Sequence, residues 1–103
     1  MADQDLYSGL IRLHVLYHCS EEPTFGLGMI QELKRHGYHI SPGTLYPIFH
    51  RLEQKKYLRS QKQSVSGKTR KVYTITPSGR RALNRAKAKV RELFDELFED
   101  DDR

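Results

Sequence analysis

The 103-residue sequence predicts a mainly helical fold with one small β-hairpin, an α+β arrangement in which a long last helix follows the hairpin. Two observations carry that prediction. Apolar residues recur at three- and four-residue steps in four separate stretches, the period of a half-buried helix. Between the third and fourth stretches, residues 58–63 and 71–76 read as strands, the second rich in β-branched and aromatic side chains.

The first helix covers residues 5–19, DLYSGLIRLHVLYHC. Leu6, Leu10, Leu13, Leu16 and Tyr17 share a stripe that Ile11 and Val15 widen, which predicts burial against more than one neighbour. Pro23 ends it, because proline disfavours helix before it and cannot extend the ladder. Thr24 is expected to cap a second, shorter helix to about His36, with Phe25, Met29, Ile30 and Leu33 inward. Gly26 and Gly28 are weak helix formers, and their presence implies close approach to a neighbour. Gly37 supplies the left-handed stop.

Ser41 and Pro42 open a third helix that runs to about Lys56. At about 100° per residue, Leu45, Ile48, Phe49 and Leu52 occupy one side. Gly43, Pro47, His50 and Gln54 point the other way, with Thr44, Tyr46 and Arg51 on the shoulders. Pro47 is tolerated if its missing N–H lies in or beside the first turn. This outward face is small at its start, so another backbone can come close, and hydroxyl, imidazole and guanidinium groups follow. Such a surface suits phosphates and base edges.

The strand-like stretches flank SVSGKTR, residues 64–70, with Gly67 at the expected tip and Lys68, Arg70 and Lys71 making it basic. Helix, helix, helix, basic hairpin is the order of a winged helix-turn-helix. Thr76 then caps the last helix, with Pro77 at its first position. That helix is expected to reach about Glu99, roughly 35 Å long. Leu83, Ala86, Val90, Leu93, Phe94 and Leu97 form its stripe, extended by Phe98. A helix this long outruns the body built by residues 1–76, so part of the stripe needs a partner surface. A second copy of the chain is the economical partner, and packing back on the first helix is the alternative. The chain therefore divides into a DNA-binding body, 1–76, and a dimerisation helix with an acidic tail, 77–103, whose EDDD end at 99–102 is expected to be solvated.

Charge is unevenly spread. Residues 41–91 hold fourteen Lys and Arg against the single acid Glu53, whereas residues 92–103 hold seven acids and one Arg. A cationic block of that kind attracts nucleic acid, and a merely solvating surface would intersperse both signs. No apolar run is long enough to span a membrane, and the first residues lack the basic and apolar segments of a secretory signal. Cys19 is the only cysteine, which excludes an internal disulfide and makes a cytoplasmic home the default. The five histidines form no nucleophile–base pattern, so no catalytic residue is assigned, and no cofactor is implied. His14 and His18 stand four apart, with Cys19, Glu21 and Glu22 after them. Two ligands at that spacing are a weak signal, and no metal site is assigned.

SPGTLYPIFHRLEQKKYL, residues 41–58, closely resembles the recognition-helix signature of the PadR-like transcriptional regulators. KVYTITPSGRRAL, residues 71–83, resembles that family's second wing strand running into its dimerisation helix, and GLIRLHVLYHC fits its opening helix more loosely. FGLGMIQEL departs from the family's more usual Tyr-Gly-Tyr, with Phe25 and Leu27 flanking Gly26. The resemblance implies a homodimeric repressor of double-stranded DNA, often released from its operator by a small molecule.

On this reading Ser41, Gly43, Thr44, Tyr46 and Pro47 lie near the DNA backbone, and His50 and Arg51 nearer base edges or adjacent phosphates. Lys68, Arg70 and Lys71 hold phosphates or probe the minor groove. Leu6, Leu10, Leu83, Val90, Leu93, Phe94 and Leu97 are the expected dimerisation residues. Tyr7, His14, Leu93, Phe94 and Leu97 either line a pocket for a small hydrophobic or aromatic effector or simply fill a core. Two-fold symmetry predicts a palindromic site with half-sites at multiples of ~10 bp. A protein-interaction adaptor and a double-stranded RNA binder are the rival readings.

Overall fold

The computed structural model describes residues 4–99; the acidic residues at 100–102 lie outside the described residues. The elements run α1 (Gln4–Glu21), α2 (Gly26–Arg35), α3 (Pro42–Gln54), β1 (Leu58–Val65), β2 (Lys68–Ile75) and α4 (Pro77–Leu97). The fold is a three-helix body with a two-stranded antiparallel wing and a long final helix. No helix among the described residues is long and apolar enough to cross a membrane.

One core joins all six elements. Ile11, Val15, Leu16 and Cys19 of α1 meet Met29 and Leu33 of α2 and Leu45, Phe49 and Leu52 of α3, closed by Leu58, Tyr73 and Ile75 of the hairpin and Leu83 of α4. The expected inner face of α3 is therefore buried, with Ile48 half-buried at its edge. Phe49 and Tyr73 are both fully buried and stack nearly parallel, with ring centroids 4.0 Å apart. Such a pair adds ~0.5–1.5 kcal/mol beyond its buried area, and here it ties α3 to the wing.

The joints follow local chemistry. Gly37, at φ +90°, ends α2: its N–H donates to the Lys34 carbonyl and that of Tyr38 to the Leu33 carbonyl, a Schellman closure. The α3 helix ends the same way, but with Lys56 in the left-handed region at φ +67°. Thr76 caps α4, its Oγ1 accepting from the Gly79 N–H at 2.9 Å and donating to the Lys56 carbonyl at 2.6 Å. The start of α4 is thus tied to the end of α3. Gly79 sits against the Tyr57 carbonyl, where a Cβ would collide with backbone.

Three expectations are corrected. Thr24 does not cap α2. Its backbone pairs with Tyr73 of β2 in an isolated bridge (N–O distances of 3.0 and 2.8 Å), which leaves Phe25 at the cap position without a side-chain cap. The strands extend through most of residues 64–70, because Val65 pairs with Lys68 and only Ser66 and Gly67 remain as the turn. Both have positive φ, 53° and 78°, as the two-residue hairpin turn that matches strand twist requires. Leu83, expected to face a second copy, is buried in the chain's own core by packing on α1.

Candidate nucleic-acid interface

The outward face of α3 is opposite its buried one. Ser41, Gly43, Tyr46, Pro47, His50 and Arg51 are exposed, and Thr44 is half-buried. Ser41 lies at the cap position, but it works through its carbonyl, which accepts from the N–H groups of Thr44 and Leu45 at 3.0 Å; its hydroxyl faces that of Thr44 at 3.5 Å. Pro42 opens the helix, and Pro47 lies inside it on the exposed side.

Tyr46 is positioned from α2. Its phenol lies over Gly26, so closely that a Cβ there would overlap the hydroxyl. The glycine that sequence marks as a close-approach residue therefore sets the crossing of the two helices and aims a tyrosine. What Gly26 approaches could not be read locally, because the contact joins positions twenty residues apart.

The wing is uniformly cationic. From Leu58 to Ile75 it carries Arg59, Lys62, Lys68, Arg70 and Lys71 and no acid. Lys68, Arg70 and Lys71 are exposed as expected, and the register adds Lys62, directly opposite Lys71. Arg70 has a second engagement: its guanidinium carbon sits 3.6 Å above the centre of the Phe25 ring. This cation–π contact, worth ~0.5–1 kcal/mol at an exposed site, draws the wing toward the start of α2. Glu53, the lone acid of the basic block, accepts from the Ser60 hydroxyl at 2.6 Å and the Ser60 N–H at 3.2 Å. The carboxylate is thus spent on fixing the wing to α3 and sits half-buried, away from the cationic tip.

Behind this face, α1 and α4 border an open groove of about 770 Å³. Of the expected pocket residues, His14 and Phe94 line it, together with Leu10, Tyr17, Val90 and others, whereas Tyr7, Leu93 and Leu97 do not. Tyr7 meets Tyr38 edge-on at 6.2 Å. Leu6, Phe94 and Leu97 are 72%, 58% and 64% exposed, and Leu10, Val90, Leu93 and Phe98 are also uncovered. The start of α1 and the end of α4 therefore form a broad apolar surface that the chain leaves open.

Burial pushes the Cys19 thiol up to about 12, against a hydrogen bond with Thr24 that opposes the rise, so it behaves as an inert core group. Burial also raises Tyr73, whose hydroxyl has no hydrogen-bond partner among the described residues. His14 is held below the ordinary imidazole range, chiefly by burial and then by the neighbouring His36 and His18. His18 is lowered by burial, with Glu32 opposing.

An exposed polar helix beside a basic two-stranded wing, both hung on one three-helix core, defines a winged helix-turn-helix DNA-binding regulator. The chain belongs to the transcriptional regulator PadR-like family, whose model matches residues 15–85. It is 46% identical over 88 residues to the transcriptional regulator Rv3488 of Mycobacterium tuberculosis, covering 85% of this chain and 82% of that one. A crystal structure of a PadR family transcriptional regulator from Eggerthella lenta superposes with a TM-score of 0.83 at 33% identity, covering 92% of this chain and 84% of that one. A PadR-like transcriptional regulator from Bacillus cereus gives a TM-score of 0.76 at 26% identity, with coverage of 91% and 96%. Family membership sets the chain among regulators rather than enzymes.

Proposed function

We propose that the chain is a homodimeric repressor that reads a palindromic operator. Each α3 enters a major groove, with Ser41, Gly43, Thr44, Tyr46 and Pro47 against the backbone and His50 and Arg51 toward base edges. Lys62, Lys68 and Lys71 of the wing neutralise phosphates, and Arg70 does so from its seat on Phe25. Residues 1–76 serve as the DNA-binding body, and residues 77–103 carry the dimer contact. Leu6, Leu10, Val90, Leu93, Phe94 and Leu97 meet their counterparts on the second copy, and a small hydrophobic or aromatic effector enters the groove between α1 and α4.

One observation carries the DNA reading: the exposed face of α3 and the cationic wing are fixed to each other by the Phe49–Tyr73 stack and the Glu53–Ser60 hydrogen bonds. The open apolar surface of α1 and α4 supports the dimer, because monomers rarely leave such a patch exposed. Selection of bound sequences from random duplex DNA tests both. Two inverted half-sites at multiples of ~10 bp are expected. Arg51→Ala is expected to relax one position of each half-site, at ~1–3 kcal/mol of discrimination. An enriched motif without symmetry refutes the dimer reading, and no enrichment on any duplex refutes the DNA reading in favour of an adaptor.

A further inference from the structure

Where α1 packs on α2, four donor side chains converge. His14 and His18 stand one turn apart on α1, and Glu32 stands one turn before His36, the residue that closes α2. The rings stack on one another, with centroids 4.7 Å apart for His14 and His36, 5.4 Å for His18 and His36, and 5.8 Å for His14 and His18. One ring nitrogen from each of the three histidines lies within 4.8 Å of the others. Glu32 Oε2 is 3.2 Å from His36 Nε2 and 3.8 Å from His18 Nε2.

We propose that His14, His18, His36 and Glu32 form a binding site for one divalent transition-metal ion of the zinc class, clamping α1 to α2. Three imidazoles and a carboxylate are a donor set for zinc and its imidazole-seeking neighbours, not for magnesium or calcium, which take oxygen. A tetrahedral ion with bonds of ~2.0–2.1 Å holds its donors roughly 3.3–3.4 Å apart. The histidine nitrogens, within 4.8 Å of one another, close by up to about 1.5 Å through side-chain rotation to meet that spacing, on helices already packed together.

His18 Nε2 gives the cluster its direction. It is buried and has no hydrogen-bond partner among the described residues, and Glu32 stops short of it at 3.8 Å. Stacking alone would be served as well by apolar rings and leaves that nitrogen unsatisfied, whereas an ion satisfies it. A cleft of about 130 Å³ bounded by His18, Glu21, Glu22 and Glu32 gives the ion a way in, past carboxylates that attract it. Cys19, next in sequence to His18, is turned into the core and is not a ligand. A His–His pair at i and i+4 on α1 and a Glu–His pair at the same spacing at the end of α2 are what bring the donors together.

The test is titration of the metal-free, full-length chain with Zn²⁺ by calorimetry, with Co²⁺ as a spectroscopic probe and Mg²⁺ as the control for class. Expected are one Zn²⁺ per chain, the intense visible absorption of four-coordinate Co²⁺, and no response to Mg²⁺. His36 is exposed, so His36→Gln leaves the fold intact, as circular dichroism would verify. His36→Gln and Glu32→Gln should each weaken Zn²⁺ at least ~10-fold, since losing even an outer-shell partner of a metal ligand costs that much. Wild-type chain that ignores Zn²⁺, folded variants that bind it as tightly as wild type, or only the weak spectrum of six-coordinate Co²⁺ would overturn the site. No DNA is present in these measurements, so their result is independent of the DNA-binding reading.

Discussion

Lys62 and Lys71 stand directly across from each other on the wing, with no acid anywhere from Leu58 to Ile75 to separate them. Like charges in that position weaken a strand pair by ~0.2–1 kcal/mol. Replacing both with glutamine keeps the length and polarity of the side chains and removes the repulsion. The free protein should therefore gain stability, with a thermal midpoint higher by about 1–5 °C. Binding to DNA should change in the opposite sense. Each phosphate contact contributes ~0.9 to the slope of log affinity against log salt, so losing two flattens it by ~1.8 per bound chain. The assay is a pair of measurements, a melt of the free protein and fluorescence anisotropy with a labelled duplex across a salt series. An unchanged slope would mean that these lysines do not meet phosphate, and a lowered midpoint would mean that the opposed charges are not repelling.

Gly79→Ala should destabilise the chain by ~1–3 kcal/mol through overpacking against the Tyr57 carbonyl, despite the ~1 kcal/mol that alanine offers a helix; a midpoint that rises in the melt contradicts the packing described. Gly26→Ala meets only the far end of the Tyr46 side chain, so it should cost under ~1 kcal/mol of stability yet displace that phenol. Anisotropy should then show weaker binding to all duplexes by a similar factor, as Tyr46→Ala should also give, and an unaltered affinity in both would remove Tyr46 from the interface. His14 and His18 are lowered in the folded chain, so between that lowered range and the ordinary value of 6.5 the unfolded chain binds more protons. Stability should fall as pH drops through that window in the presence of a chelator, and the double variant His14→Gln, His18→Gln should lose that component; a pH profile identical in both refutes it.

The legible parts of the fold were those decided by neighbours in sequence. Pro77 after Thr76 marked the start of α4, Gly37 marked the end of α2, and the spacing of Leu45, Phe49 and Leu52 separated the buried from the open face of α3. Thr24 does not take the expected cap role because its backbone bridges to Tyr73, a partner 49 residues away that no local pattern reveals. The wing strands run longer than the sequence predicts because a polar, basic run looks like loop until its register is known, and that register also sets Lys62 directly opposite Lys71. Leu83 carries the same periodicity as Val90 and Phe94, and only the place where α4 leaves the body separates a core residue from an exposed one. In the histidine cluster, His14 and His18 were visible as a pair, but Glu32 and His36 join them only once α2 packs on α1.

The parallel stack of Phe49 on Tyr73 has a mechanical consequence. Because each ring is wholly enclosed, neither the helix nor the ribbon can tilt without prising the two apart. Any movement that reorients one must therefore carry the other along, so the exposed helix and the basic ribbon turn as a single piece and not as two independent fingers.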